Sequence, residues 1–164
     1  MNDFVVADPG RCIGCRTCEI ACALAHSKDG ALSSLTAESF VARLKVVKTA
    51  RVTTPIQCRH CENAPCVKAC TKAALVQSGD SVQVVEGVCI GCKECVMACP
   101  YGAIELCADN DDAKTVKVIK CDLCKTSDGS PACVKVCPTK AINEIHGYDL
   151  IEEIKNKRIR AALG

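Results

Sequence analysis

Four cysteines near the middle of the chain share a short, regular spacing. They are Cys89, Cys92, Cys95 and Cys99, and Pro100 follows the last of them, so the pattern is C-x2-C-x2-C-x3-C-P. Cysteine thiolates at this spacing bind [4Fe-4S] clusters, with the first three on one cluster and the fourth on another. The pattern therefore predicts one-electron chemistry, and it predicts that the remaining ligands lie elsewhere in the chain.

Three further groups of four cysteines supply such ligands. One group repeats the spacing, and the other two widen the second gap to four or eight residues, with Pro65 and the turn-like segment 127–131 in the wider loops. The groups are Cys12, Cys15, Cys18 and Cys22; Cys58, Cys61, Cys66 and Cys70; and Cys121, Cys124, Cys133 and Cys137. Sixteen thiolates suffice for four [4Fe-4S] clusters, and Cys107 is left as a small residue that we expect to be buried.

The separation between the groups predicts how they pair. Residues 71–88 alone separate the second group from the third, as between the halves of a two-cluster ferredoxin, so we expect these groups to exchange their fourth ligands. By elimination, the first and fourth groups pair around them. The predicted ligand sets are Cys12, Cys15, Cys18 with Cys137; Cys121, Cys124, Cys133 with Cys22; Cys58, Cys61, Cys66 with Cys99; and Cys89, Cys92, Cys95 with Cys70.

The composition agrees with an interior filled by metal clusters. Seventeen of 164 residues are cysteine, whereas Phe4, Phe40, Tyr101 and Tyr148 are the only aromatic residues. Large side chains therefore cannot fill an ordinary core, and cluster ligation would supply the missing folding free energy. We expect the chain without clusters to be largely unfolded.

Charge and terminal sequence exclude several other classes. The formal charge of +2 would fall to about −6 with four oxidised clusters of about −2 each. No block of like charge and no basic-aromatic pattern indicates nucleic-acid binding. Residues 1–8 lack a secretion signal, which favours reduced thiols and a cytoplasmic location over a secreted disulfide scaffold. No segment reaches the roughly 20 apolar residues of a membrane span, so direct membrane insertion is not expected.

Basic residues stand beside many of the predicted ligands. They would raise the reduction potentials of the clusters or be ordinary surface residues, and the sequence leaves both readings open. His60 lies among ligands, but four cysteines already complete that set, so we expect it to hydrogen-bond backbone instead. The basic residues are Arg11, Arg16, Arg59, Lys68, Lys93, Lys120, Lys125 and Lys135.

Periodicity predicts short elements around the cysteine groups. We expect an α+β fold of two nested ferredoxin-like units, with short strands and helical turns, in one domain over 1–148. The inner unit covers 58–107, the outer unit covers 1–26 and 115–148, and 149–164 forms a helical tail. Segment 27–57 is either a cover over the first group or a connecting hairpin. Predicted elements are strands at 3–8, 40–52, 81–86 and 115–119, a helix at 21–26, an acidic turn at 109–112 and a helix at 149–163.

The chain resembles the four-cluster iron-sulfur electron-transfer subunits related to formate hydrogenlyase, formate dehydrogenase and hydrogen-dependent carbon dioxide reductase. The resemblance rests on the cysteine groups, on segments 4–8 and 34–40, and on the stretches Cys61–Cys66 and Pro131–Cys133. It departs from the family at Ala23 and Thr71, where proline often follows the fourth cysteine. The nested ligand pairing is also the pairing of this family.

The resemblance implies a relay of single electrons between a catalytic partner and another redox subunit. It implies a molybdenum or tungsten oxidoreductase such as formate dehydrogenase, or a hydrogenase, as partner. Some relatives form filaments, so self-assembly through the tail is a further expectation. We expect no catalysis on this chain, because every candidate ligand belongs to a coordinatively complete cluster. The alternatives are a free ferredoxin-like carrier and a zinc-bound structural module.

Overall fold

The predicted α+β class is confirmed by a computed structural model, which describes residues 1–27, 29–108, 116–125 and 130–163. The helices in these ranges are α1 (Thr17–Ala25), α2 (Pro65–Ala69), α3 (Glu94–Ala98), α4 (Ala132–Lys135) and α5 (Asp149–Leu163). The strands are β1 (Phe4–Ala7), β2 (Leu44–Lys48), β3 (Thr53–Gln57), β4 (Leu75–Ser78), β5 (Ser81–Val84), β6 (Glu105–Ala108), β7 (Val116–Ile119) and β8 (Ile142–Ile145). A 3-10 turn covers Leu32–Ser34.

The strands pair two by two into antiparallel ribbons. β2 pairs with β3, β4 with β5 and β6 with β7, while β1 pairs with β8 and so joins the two ends of the domain. Phe4 lies opposite Ile145 in that last ribbon, and Ala7 lies opposite Ile142. A two-stranded ribbon is marginally stable alone in water, so these ribbons depend on what they enclose.

The short helices pack in two pairs, α1 against α4 and α2 against α3. Each pair carries its own buried apolar cluster. The first cluster includes Val5, Leu44 and Ile142, and the second includes Leu75 and Val82. Cysteines belong to both clusters, so the apolar side chains of this fold surround the thiols and do not form a separate core.

Two predictions about segment 27–57 meet different outcomes. The connecting hairpin is present as β2 and β3, but the strand predicted over 40–52 is limited to Leu44–Lys48. Before Leu44, the backbone N–H of Arg43 donates to Cys22 Sγ at 3.3 Å and not to a strand partner, which ties the chain to α1. The acidic turn predicted at 109–112 lies outside the described residues.

The predicted tail helix is present as α5, and it buries no residue. Its apolar side chains Ile151, Ile159 and Leu163 are all exposed. None of the described helices combines the length and the apolar composition that a bilayer crossing requires.

Candidate iron-sulfur sites

The first outer site is a small cavity whose lining includes four thiols. These belong to Cys12, Cys15, Cys18 and Cys137, three from the first motif and one from the last. The loop can curl around the cavity because Gly14 has φ 70° and Arg16 has φ 61°. Both angles lie in the left-handed region, which glycine adopts without steric cost.

The second outer site repeats this construction. Its small cavity is lined by the thiols of Cys70, Cys89, Cys92 and Cys95. Gly91 has φ 71° and Lys93 has φ 67°, nearly the angles of Gly14 and Arg16. The repeated Cys-Ile-Gly-Cys sequence therefore folds into the same loop twice.

The first inner site brings together Cys58, Cys61, Cys66 and Cys99. Burial, together with the charges of Cys58 and Cys99, raises the pKa of the Cys66 thiol to about 11. Burial likewise raises the pKa of Cys58, with added repulsion from Cys99 and Cys61. These thiols are thus close enough to repel one another when ionised.

The second inner site consists of Cys22, Cys121, Cys124 and Cys133, of which every one is buried. Burial raises the pKa of Cys121 to about 12. Burial also raises the pKa of Cys133, and the charges of Cys121, Cys22 and Cys124 raise it further. In the structure, the four cysteines of each predicted ligand set thus lie near one another.

The four sites form a series. Cys18 and Cys22 lie one turn apart on α1, so the first outer site adjoins the second inner site. Cys66 and Cys70 stand likewise at α2, so the first inner site adjoins the second outer site. The two inner sites meet where Cys58 and Cys121 belong to one buried cluster.

Three fourth-position cysteines accept the same local hydrogen bond. The backbone N–H four residues further on donates to Cys70 Sγ at 3.2 Å, to Cys99 Sγ at 3.5 Å and to Cys137 Sγ at 3.2 Å. Cys22 differs because α1 continues through Ala23, which removes the turn that supplies this donor. The backbone N–H of Arg43, in segment 27–57, donates to Cys22 Sγ at 3.3 Å in place of the local donor. This distant donor accompanies the departure at Ala23, where the family often has proline.

The residues present fit [4Fe-4S] clusters. The donor set of each site is four thiols, the ligand type that iron-sulfur clusters require. Five of the inner thiols have pKa values raised by burial, so a metal must replace the proton if these groups are to be ionised. In addition, His60 Nδ1 accepts a hydrogen bond from the N–H of Val82 at 3.1 Å. The Nε2 atom of His60 therefore carries the hydrogen, and this buried N–H has no acceptor among the described residues.

His60 confirms one prediction, since it bonds backbone. Cys107 does not match the expected burial, because it lies half-buried on β6. The basic residues beside the predicted ligands differ in their exposure. Lys120 is 1% exposed, whereas Arg11, Arg16, Lys68, Lys93, Lys125 and Lys135 are exposed and Arg59 is half-buried.

A charged network that the motifs did not reveal borders the second inner site. Asp122 lies between Arg43 Nη1 at 2.5 Å and His26 Nε2 at 3.1 Å, and its Oδ1 accepts the N–H of Cys124 at 3.0 Å. Burial lowers the pKa of His26, but its hydrogen bonds to Asp122 and Cys22 together outweigh burial, so the pKa rises to about 9. The position of His26 one turn after Cys22 was the available sequence signal. The network fixes the loop that carries Cys121 and Cys124.

Thiol-only sites between short antiparallel ribbons define a ferredoxin-type iron-sulfur protein. The profile of the family described as "4Fe-4S dicluster domain" matches residues 49–146, and that of the "4Fe-4S binding domain" matches residues 9–25. The chain belongs to the family of 4Fe-4S ferredoxin-type electron transport proteins.

Curated relatives extend over the whole chain. The electron transport protein HydN of Escherichia coli K12 is 40% identical, with 99% of both chains covered. The putative electron transport protein YsaA of the same strain is 40% identical, with 98% of both chains covered. Formate hydrogenlyase subunit 2 of that strain is 35% identical over 96% of this chain and 89% of its own length.

A solved structure is similar at a lower level. One chain of the active site complex BamBC of benzoyl coenzyme A reductase aligns with 99% of this chain and 91% of its own. The identity is 22% and the TM-score is 0.46, so this similarity says nothing about function.

Proposed function

We propose that this chain is a non-catalytic subunit that relays single electrons through four [4Fe-4S] clusters. The relay connects a catalytic partner of the formate dehydrogenase or hydrogenase type with another redox subunit. The ligands in this proposal are the sixteen cysteines of the four sites, in the paired sets predicted from the sequence. Residues 1–148 then form one domain, with an inner unit over 58–107 and an outer unit over 1–26 and 115–148.

The observation that carries the proposal is the serial arrangement of the four thiol sites. Each site shares helical turns with the next or meets it in one buried cluster, so the series runs from one exposed loop to another. The clusters, when bound, supply one-electron chemistry without a change of ligands. Four thiols at every site leave no open position for a substrate, which supports electron transfer over catalysis.

The side chains of this chain have two tasks in such a relay. Buried Val5 and Val82 exclude water around the inner sites. At the ends of the series, Cys15 and Cys92 are exposed, and the loops around them offer short routes to a docked partner. The proposal therefore predicts that partners dock at the two outer loops.

Partner and location follow from the relatives only by analogy. One relative is named as a subunit of formate hydrogenlyase, and others are named electron transport proteins, which supports a redox partner for this chain. A molybdenum or tungsten formate dehydrogenase, a hydrogenase or another iron-sulfur subunit fits this role. We place the complex in the cytoplasm.

An anaerobic purification of the tagged chain from its native cells tests the relay. The expected result is stoichiometric recovery of a molybdenum or tungsten enzyme or a hydrogenase, and rapid reduction of this chain by that partner with its substrate. Recovery of the chain alone, with electron exchange among unrelated enzymes, would contradict a fixed subunit and indicate a free carrier. Zinc in place of iron would contradict electron transfer itself.

Self-assembly through α5 is part of the proposal and has a separate test. The helix exposes Ile151, Ile159 and Leu163 and buries none of its residues, which supports a role outside the domain. Deletion of residues 149–164 should reduce the particle size in anaerobic size-exclusion chromatography and leave the iron content unchanged. An unchanged particle size would contradict assembly through this helix.

A further inference from the structure

Lys120 is a buried cation at the junction of the two inner sites. It is the largest of the fully buried side chains among the described residues, at 1% exposure. Its Nζ donates to the carbonyl oxygens of Val82 and Cys121, each at 2.6 Å. Among the described residues, no carboxylate forms an ion pair with Lys120. Burying an ammonium without a counter-charge is costly, so this position requires an explanation.

The surroundings of Lys120 connect both inner sites. Cys121 is its neighbour in sequence and belongs to the second inner site. The carbonyl oxygen of Val82 accepts a hydrogen bond from the Lys120 ammonium, and the N–H of Val82 donates to His60 Nδ1. His60 lies between Cys58 and Cys61 of the first inner site. One buried cation is therefore hydrogen-bonded to the Cys121 backbone of one inner site and, through Val82, connected to His60 of the other.

Four other cations near the sites, Arg43, Lys125, Arg16 and Lys93, do not share this position. Arg43 is paired with Asp122, and Lys125 is paired with Asp80, so each already has a carboxylate partner. Arg16 and Lys93, next to the outer sites, are exposed to solvent, which screens their charge. Solvent does not screen Lys120 in this way, because it is buried.

We propose that the Lys120 ammonium is the fixed counter-charge of the two inner sites, and that it raises the reduction potentials of the clusters held there above those at the outer sites. Reduction of a cluster adds one electron and no proton, so the site gains one negative charge. A buried positive charge beside the site stabilises that added charge. Without it, burial would make the inner sites the hardest to reduce.

This inference rests on the proposed function and adds a direction to it. An electron that enters at either exposed outer loop moves toward the centre of the series, where Lys120 stabilises it. The inner pair then holds the electron until an acceptor docks at the other end. Lys120 is thus a positioning residue for charge and touches no substrate.

Anaerobic redox titration with dithionite, followed by electron paramagnetic resonance, tests the proposal on the full-length, cluster-loaded protein. Lys120→Gln removes the charge and retains an N–H donor for the carbonyls, and Lys120→Arg retains the charge. Lys125→Gln is the matched control, because it removes one exposed positive charge five residues away. We expect Lys120→Gln to lower the reduction equilibrium constant of two clusters at least tenfold, about 59 mV for one electron. Lys120→Arg should restore most of the shift, and Lys125→Gln should move the potentials much less.

Iron content separates failure of this proposal from failure of the relay. About sixteen iron atoms per chain, from four clusters of four, together with unchanged potentials in Lys120→Gln would overturn the role of Lys120 alone. A shift that Lys125→Gln reproduces in full would do the same. A much lower iron content in the unaltered protein would instead overturn the four-cluster relay.

A second measurement does not depend on the folding of a Lys120 variant. In the otherwise unaltered protein, the signal of the first cluster to be reduced should come from an inner site. The same signal should survive both Cys15→Ser and Cys92→Ser. Loss of the first signal in either outer-site variant would contradict the proposal.

Discussion

Each outer site and each inner site holds four thiols, but the surroundings of these thiols differ. Cys15 and Cys92 of the outer sites are exposed, whereas the second inner site has no exposed thiol. The outer loops also present Ile13 at 68% and Ile90 at 60% exposure. Ligand type is therefore constant along the series, and solvent access is what the fold varies.

The electrostatic surroundings differ in the same direction. A hydrogen bond from the Thr17 hydroxyl lowers the pKa of the Cys15 thiol. Burial raises the pKa of Cys137, but backbone N–H groups and Thr139 outweigh it, so the net shift is downward. At the inner sites, burial dominates and raises the pKa of Cys58, Cys66 and Cys121. Burial also raises the pKa of two outer-site thiols, Cys18 to about 11 and Cys95. The outer sites therefore combine raised and lowered thiol pKa values, whereas the shifts cited for the inner sites are all upward.

The largest expected contrast is between an inner and an outer ligand. Cys133→Ala should abolish soluble, iron-loaded protein, because it leaves buried thiols and an incomplete site inside the first apolar cluster. Cys92→Ala should yield soluble protein that retains about three quarters of the iron, since only an exposed loop loses a ligand. Soluble yield and iron per chain measure the difference. Equal losses in both variants would contradict the comparison.

Chelator access should distinguish the sites in the unaltered protein. Iron should leave in two phases of similar amplitude, with the faster phase at least tenfold quicker, because solvent reaches the outer loops directly. The protein is treated anaerobically with a strong chelator and a mild oxidant. The loss of visible absorbance then measures both phases. The Cys92→Ala variant should lose about half of the fast phase. A single phase would mean that burial does not protect the inner sites.

The two outer loops can be compared with each other through their glycines. Gly14→Ala and Gly91→Ala both place a side chain at a left-handed φ, which costs about 1–2 kcal/mol. A Cβ at Gly14 would also lie 2.8 Å from Thr53 Cγ2, whereas the nearest atom at Gly91 is Val116 Cγ2 at 3.2 Å. Gly14→Ala should therefore lower the melting temperature of the cluster-loaded protein by a few degrees more than Gly91→Ala.

A double variant is the control for that contact. Thr53→Ser removes the Cγ2 methyl, so combining it with Gly14→Ala should bring the loss close to that of Gly91→Ala. If Gly14→Ala is equally harmful with serine at 53, the contact with Thr53 is not the cause.

The smallest expected effect is a pH dependence at the ribbon that closes the outer unit. A hydrogen bond to the Asp3 carboxylate raises the pKa of His146, and the two side chains lie 3.1 Å apart. Because the pKa is raised in the folded state, the stabilisation is complete below the ordinary pKa of histidine and is lost as pH rises through the raised value. Its size is below about 1 kcal/mol, since His146 is partly exposed and salt screens the pair.

His146→Gln should remove that small decline in melting temperature toward alkaline pH. The comparison is made on cluster-loaded protein at low salt, from pH 6 upward. A decline of unchanged size in the variant would assign it to another group.

The cysteine spacing was sufficient to predict the α+β class, and the thiols of each predicted ligand set lie near one another in the structure. The loop containing Gly14 and the loop containing Gly91 share sequence and backbone angles, so local sequence determines them. The pairing of β1 with β8 also follows once the first and last motifs are brought together.

Contacts between distant segments were not predictable in this way. Asp122 joins Arg43 and His26 from segments far away in sequence, and no local pattern specifies that meeting. Lys120 resembles the other basic residues beside cysteines until its burial is known. Likewise, the replacement of a local donor at Cys22 by Arg43 N–H depends on where the 27–57 hairpin packs. Burial and tertiary contacts therefore carry the information that the spacing lacks.

Metal analysis of the anaerobically purified chain tests the central claim most directly. Iron and sulfide are quantified per chain, and the fully reduced protein is examined by electron paramagnetic resonance. The account predicts about sixteen iron and sixteen sulfide per chain, with interacting signals from four reduced [4Fe-4S] clusters. About eight iron atoms per chain, or zinc in place of iron, would contradict it.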